Sequence, residues 1–376
     1  MTDTPAQPTQ LLKTPFHDLH VKLGAKMVDF AGWSMPLSYT GITDEHMKCR
    51  TSGGFFDVSH MGRLKIDGPD AARLLSRTTT RDATAIKPGV SRYGFVTNSD
   101  GGTIDDVIVS RLPDGSLGMV CNASNRAAVL QQLRDVRTGE SIDAEIHDTT
   151  ELTAMAALQG PNVIAEMQSA LGGGFDEDPS TLKKFGCLKG ELMGMPIELY
   201  RSGYTGEDGY ELVMSADAAK LVGDLGGDFL TKGPIYACGL GARDTLRIEA
   251  ALPLYGHELS TDVDPISAGF GWAVGKEHDF IGSDAIRQIA GEGPKKRLVG
   301  LELDSRRTAR QGATVLEENI AVGEVTSGCL SPTLGKSIAM AYVAEEHIGL
   351  GTVLGVDFKR EVARATVVPL PFYKRP

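Results

Sequence analysis

The stretch VSRYGFVTNSDGGTIDDVIVSRLPDGSLGMVC, residues 90–121, decides the fold class. Residues 90–97 read as a strand, and Asn98-Ser99-Asp100-Gly101-Gly102 is a strong turn signal. Residues 103–112 form a second strand, Pro113-Asp114-Gly115 turns the chain again, and 116–121 make a third. Ser124 or Asn125 then caps a helix running to about residue 136, with Ala127, Ala128, Val129, Leu130 and Leu133 on its apolar face. This is an antiparallel meander followed by a helix, not an alternating βαβ array. The class is α+β.

Outward from the meander the same style continues. Residues 43–51 and 69–76 have helical spacing. In the middle third, 151–158 is strand-like, 162–171 helical, 190–201 a strand and 210–214 another, before helices at 216–225 and from 239. A polar, glycine-rich and basic shift near 291–296 precedes short alternating strands at 298–303, 321–326, 337–343, 352–358 and 361–368. That last third reads as an all-β barrel or jelly roll. At 376 residues the chain is long enough for two or three domains.

Composition removes several function classes. The hydrophobic fraction of 41% fills globular cores, which excludes global disorder. Net charge is −11, a poor match to phosphate backbones, so general nucleic-acid binding is not expected. No run approaches the roughly 20 apolar residues that span a bilayer, and the polar start resembles no signal peptide. Cys49, Cys121, Cys187, Cys238 and Cys329 are scattered and form no CxxC pair, as expected of free thiols in a reducing compartment. The histidines do not cluster, so no metal site is expected. The expected location is cytoplasmic.

Four places could carry chemistry. Asp105 and Asp106 are neighbours on a strand, so only one can point into a given pocket. Asp106 shares its face with Ile104 and Ile108, Asp105 with Thr103, Val107 and Val109. A carboxylate among apolar neighbours is desolvated and suits a general base; an exposed Asp beside a turn-capping Asp fits the pattern equally well. GYTGEDGYE, residues 203–211, offers close backbone approach, a ring at Tyr204 and a carboxylate at Glu211 suited to the N–H edge of a pterin or purine. A tight turn with a solvated acidic tip is the commoner outcome for such a loop. Arg243 stands near a helix start, where a surface ion pair is the plainer reading. In FDVSHM, residues 56–61, Asp57, Ser59 and His60 are too close along one strand to converge as a triad; Met61 fits a soft pocket wall. Lys295, Lys296 and Arg297 form a basic run that is either a solvated surface or the place where an acidic partner docks.

The chain resembles the aminomethyltransferase (T-protein) family of the glycine cleavage system. The resemblance is carried by TPFHDLHVKLGAKMVDFAGWSMPLSY, RTSGGFFDVSHMG, NSDGGTIDDVIV, ALQGPN, GYTGEDGYELV, GLGARDTLRIEA, LYGHEL, TSGCLSPTLGKSIAMAYV and VVPLPFYKR, in order from Thr14 to Arg375. It implies a three-domain cloverleaf around a central folate channel, drawn here as 11–54 with 140–290, then 55–139, then 295–376. It implies transfer of the one-carbon unit of an aminomethyl group, carried on the lipoyl arm of H-protein, to tetrahydrofolate. The products are 5,10-methylenetetrahydrofolate, ammonia and the dihydrolipoyl arm. Tetrahydrofolate is a co-substrate, and neither metal nor flavin is implied; no GxGxxG follows a strand. The family carboxylate falls on Asp106, pterin contacts on Glu211 and Arg243, and pocket walls on Met61, Tyr93, Asn122 and Tyr204. Tyr373 in the closing FYKRP is not carried over. Iron–sulfur assembly relatives have a KGCYxGQE-type loop where this chain has GYTGEDGYE.

Overall fold

The meander pairs into a five-stranded antiparallel sheet in the computed structural model, which describes residues 10–171 and 173–375. Expectations for residues 1–9 lie outside those limits. The strand order is Val90–Thr97, Thr103–Arg111, Leu117–Cys121, Gly62–Asp67, Glu145–Asp148. Helices Ala71–Thr78 and Arg126–Gly139 cover one face, where Leu74, Leu75, Val129 and Leu133 pack on Leu64, Val107, Val109 and Met119. Along Thr103–Arg111 burial alternates with period two, so Asp105 shares the helix-covered face with Val107 and Val109 while Asp106 faces the other way.

A six-stranded sheet takes the middle of the chain, in the order Cys187–Leu192, Met195–Tyr200, Gly209–Ser215, Thr153–Gln159, Gly54–Asp57, Tyr236–Ala237. Its pairs are antiparallel except the last. Helices Val163–Leu171 and Ala216–Gly226 bury one face; Ile42–Thr51 and Leu240–Glu249 pack on the other through Cys49, Ala242 and Leu246. The single strand expected over 190–201 is instead a tight hairpin. Met193 and Gly194 both take positive φ, 55° and 76°, which is the turn that the twist of a two-residue hairpin demands. A second unexpected hairpin, Lys26–Phe30 with Trp33–Ser38, joins Leu12–Lys13 in a small three-stranded sheet.

The C-terminal third closes into a six-stranded barrel: Lys296–Leu303, Ser337–Ala344, Ile320–Leu330, Thr314–Glu317, Val353–Asp357, Val362–Val368. Closure leaves no edge strand, and Leu301, Val315, Val325, Ala341, Val356 and Ala365 fill the interior. The ladders run past two positions where the sequence placed divisions. Gly54–Asp57 pairs within the six-stranded sheet, and Glu145–Asp148 pairs with Gly62–Asp67. All these units meet at one central cavity.

Candidate active site

The cavity has a volume of about 1800 Å³ and draws its walls from both large sheets, the small hairpin, the barrel and the C-terminal tail. Met61, Tyr93, Asp106, Asn122, Tyr204, Glu211 and Arg243 all line it. Sequence places them as much as 182 residues apart (243 − 61); the fold brings them to one space.

Asp106 is set by the glycine turn before its strand. Asn98 Oδ1 accepts from the N–H groups of Asp100 (3.0 Å) and Gly102 (2.9 Å), closing the turn. A Cβ on Gly102 would lie 1.8 Å from the Thr261 carbonyl oxygen, so only glycine lets the strand start against the 260–263 loop. From there Asp106 faces the cavity. The Tyr93 hydroxyl donates to Oδ2 at 3.0 Å, and Asn122 Nδ2 donates to Oδ1 at 2.8 Å. No lysine, arginine or histidine ion-pairs with it among the described residues, and burial raises its proton affinity above the usual carboxylate range.

Tyr93 is itself held by aromatics. Its ring stacks on Trp272 (centroids 5.9 Å, interplanar 27°) and meets Phe95 edge-on at 5.3 Å. Trp272 is 60% exposed yet lines the cavity, and sequence reading passed over it. The available signal was a tryptophan between short glycine spacings, in GFGWAVG.

Opposite stand Tyr204, Glu211 and Arg243. The Tyr204 hydroxyl donates to the Pro253 carbonyl, and burial pushes its pKa up. The Arg243 guanidinium lies 4.6 Å from the Tyr204 ring centroid, and its Nη1 is buried without a protein partner. Glu211 is 7% exposed; Ser202 Oγ donates to its Oε2. Glu211 attracts Arg243 without forming an ion pair with it, so both retain hydrogen-bonding capacity for a ligand.

The GYTGEDGYE loop is solvated only in part: Gly206 and Asp208 are exposed, whereas the Glu207 side chain is withdrawn from solvent. Glu207 is fully buried against Arg50 (2.8 Å) and Arg375, and Asp208 pairs with Arg201 (2.6 Å). Arg50 also reaches Glu249 at 2.8 Å, and its guanidinium covers the Tyr373 ring at 4.2 Å. His46, Ser331 and Thr333 complete the Glu249 shell. Burial works against the Glu249 charge, but the bonds from His46, Ser331 and Arg50 prevail and hold its pKa down to about 2. Tyr373 therefore lines the cavity as part of a latch that ties the tail to the loop.

The segment 56–61 is a strand only as far as Asp57; a turn follows, with Met61 N–H donating to Val58 O at 3.0 Å. Asp57 bonds His20 Nε2 (2.8 Å) and the Ser59 N–H (2.8 Å), and His60 Nδ1 is buried without a partner. No triad assembles. Burial drives the His60 pKa down to about 4.

Lys295, Lys296 and Arg297 do not line the cavity. Lys295 and Lys296 are exposed, Lys296 Nζ lies 5.6 Å from the Tyr342 ring, and Arg297 pairs with Glu345 at 2.7 Å. All five cysteines are buried and unpaired by disulfides. Among the described residues no group of three or more His, Cys, Asp or Glu is arranged to hold a metal ion, and no helix is long and apolar enough to cross a membrane.

Comparison with known proteins is consistent along the whole chain. Residues 16–278 match the family model "GCVT N-terminal domain", and residues 296–374 match "Glycine cleavage T-protein C-terminal barrel domain". A protein named aminomethyltransferase from Cutibacterium acnes is 42% identical, covering 98% of this chain and all of its own length. Another so named, from Bacillus subtilis, is 39% identical over 97% of this chain and all of its own. The crystal structure titled glycine cleavage system aminomethyltransferase T from Bartonella henselae is 33% identical, with a TM-score of 0.89, covering 97% of this chain and 98% of that one.

Proposed function

The chain belongs to the glycine cleavage T-protein (aminomethyltransferase) family, and from that premise we propose the reaction, the site and the partners. The substrates are tetrahydrofolate and the aminomethyl-lipoyl arm of H-protein. The aminomethyl carbon leaves its sulfur and nitrogen and bridges folate N5 and N10. The two folate N–H protons end on ammonia and on the dihydrolipoyl thiol, so atoms balance. The carbon keeps its oxidation level, and the step calls for no electron carrier such as a flavin.

The observation that carries this reading is Asp106: a half-buried carboxylate without a counter-cation, held by Tyr93 and Asn122 at the wall of the cavity. It is the base that takes or orients the N10 proton as the carbon transfers. The cavity volume supports two substrates meeting there. At about 1800 Å³ it exceeds the roughly 300–1,000 Å³ of an ordinary small-molecule pocket. Glu211 accepts from the pterin N–H edge, Arg243 and Tyr204 cover the ring system, and Met61 supplies an apolar wall. Alignment of two bound reactants is the other main contribution.

The three-domain division belongs to the same proposal, with boundaries placed at the turns after Asp57 and after Asp148. So does a cytoplasmic location. H-protein docking is assigned to Lys295 and Lys296, with Arg297 already engaged by Glu345. Reversing both lysine charges is expected to raise the apparent KM for H-protein and flatten its salt dependence; an unchanged KM moves docking elsewhere.

The deciding experiment incubates the protein with aminomethyl-loaded, lipoylated H-protein and tetrahydrofolate. Ammonia and 5,10-methylenetetrahydrofolate are expected in equal amounts. No ammonia, together with demethylation of a methylated amine or sulfonium compound, would replace this reaction with another folate-dependent one.

A further inference from the structure

Asp105 is buried and has no place in the reaction described so far. It points away from the cavity, into the face covered by helices, where an unpaired carboxylate is costly. It is not left unsatisfied. Asn122 N–H donates to Oδ2 at 2.8 Å, Asn122 Nδ2 to Oδ1 at 2.8 Å, and Asn125 Nδ2 to Oδ1 at 2.7 Å.

The register explains how residues on opposite faces share one amide. Ile108 pairs with Val120, so two steps on Asp106 stands across from Asn122, just beyond the end of the strand Leu117–Cys121. There the Asn122 main chain leaves the ladder and gives its N–H to Asp105 instead. An amide NH2 has two hydrogens. One goes to Asp105 Oδ1 and the other to Asp106 Oδ1, each at 2.8 Å. Both acceptors are carboxylates, so the amide can face them only with its nitrogen.

We propose that Asp105 is a positioning residue for the transfer: it fixes the Asn122 carboxamide, and through that amide it presents Asp106 to the cavity. The inference rests on the reading of Asp106 as the base. Neither carboxyl group of the pair meets a cation: burial and the neighbouring Asp106 raise the proton affinity of Asp105, while the Tyr93 and Asn122 donors favour the ionised form of Asp106 against its own burial. The groups facing the pair are Tyr93, Tyr204 and Tyr255 on the cavity side and Cys121 beside Asp105. Arg126 and Arg63, the cations that act on Cys121, are engaged elsewhere, Arg126 by Asp148 and Glu151 and Arg63 by the Ser59, Met61 and Thr150 carbonyls. None of these supplies a compensating positive charge at the pair.

Asp105→Asn tests this. An asparagine there must turn its own NH2 toward at least one of the three donors, so the clamp loosens. Turnover is expected to fall about tenfold to a hundredfold, the effect of one charge-assisted hydrogen bond no longer orienting the base. The KM for tetrahydrofolate should hold. The acid limb of the kcat profile should move to higher pH, because ionised Asp106 loses the Asn122 donor, a shift that a merely structural role would not produce. In an Asp106→Asn background the same change should cost nothing further. Unchanged turnover, or a loss that leaves the acid limb in place and repeats in the Asp106→Asn background, overturns the proposal. If Asp105→Asn does not fold, Asn125→Leu removes one donor and leaves Asn122. It is expected to lower kcat about threefold to tenfold at constant KM, and no change would contradict us. Full turnover by Asp106→Asn itself would instead overturn the reading of the base. The two failures are distinguishable.

Discussion

Two sets of carboxylates, each buried in whole or in part, stand near the cavity, and the fold treats them in opposite ways. Glu207 and Glu249 are wrapped in donors: the Arg50 guanidinium bridges both, Arg375 caps the first, and His46 with two hydroxyls closes on the second. The Glu249 pKa is held down to about 2, and the two side chains tie the glycine loop, a helix, a barrel loop and the tail together. Asp105 and Asp106 have only neutral donors, from Tyr93, Asn122 and Asn125. Burial lifts their proton affinity instead of suppressing it. One set is a lock and the other is poised to exchange a proton. The same residue type serves both because partners decide its chemistry.

The comparison can be broken first at the lock. Arg50→Met strands Glu207 and Glu249 in a low-dielectric interior, and is expected to cost about 3–5 kcal/mol in denaturant unfolding. The pH dependence has a definite sign. Glu249 has a depressed pKa when folded, so its contribution is present above the unfolded value and lost as pH falls toward about 2. The stability difference between the native chain and Glu249→Gln should therefore shrink steadily with acidification. A difference independent of pH would show that the lock is not electrostatic.

At the poised set, Tyr93→Phe removes one donor to Asp106 and leaves the aromatic stack with Trp272. Turnover near neutral pH should fall about tenfold, and the acid limb should move to higher pH because the ionised form has lost a hydrogen bond. Asp105→Asn, which loosens the Asn122 donor, should move it the same way. Opposite directions for the two variants would mean that the limb reports some other group.

The smallest expected effect is on stability. Asp106 has a raised pKa when folded, so its ionisation opposes folding once pH exceeds the unfolded value, and most fully above the folded one. Asp106→Asn should melt slightly higher than the native chain at pH 7.5, and lose that advantage below the unfolded carboxylate pKa. A lower Tm at pH 7.5 would place Asp106 with the lock.

Legibility in the sequence follows the same division. The poised set lies on one meander, where period-two alternation separates Asp105 from Asp106 and strong turn residues mark both strand ends. Local pattern put the two acids on opposite faces, and the family resemblance, not the pattern, chose Asp106 between them. The lock draws on residues 46, 50, 207, 249, 331, 333 and 375, which no spacing rule connects. The glycine loop consequently reads as a solvated tip, although Glu207 is fully buried. The hairpin at Met193–Gly194 escaped because GELMGMPIELY keeps its apolar residues running through the turn. Trp272 was invisible because its role depends on Tyr93, 179 residues away (272 − 93). The barrel was legible in class from five of its strands, and the sixth was missed because Thr314–Glu317 is too short to stand out.

The central claim is that Asp106 manages the proton of the folate amine. Its direct test is single-turnover formation of 5,10-methylenetetrahydrofolate from aminomethyl-loaded H-protein by Asp106→Asn, with tetrahydrofolate binding measured on the same sample. Loss of about a hundredfold to ten-thousandfold in rate is expected, the range of general acid–base catalysis, with folate affinity retained. A rate near that of the native chain at equal folate occupancy would contradict it.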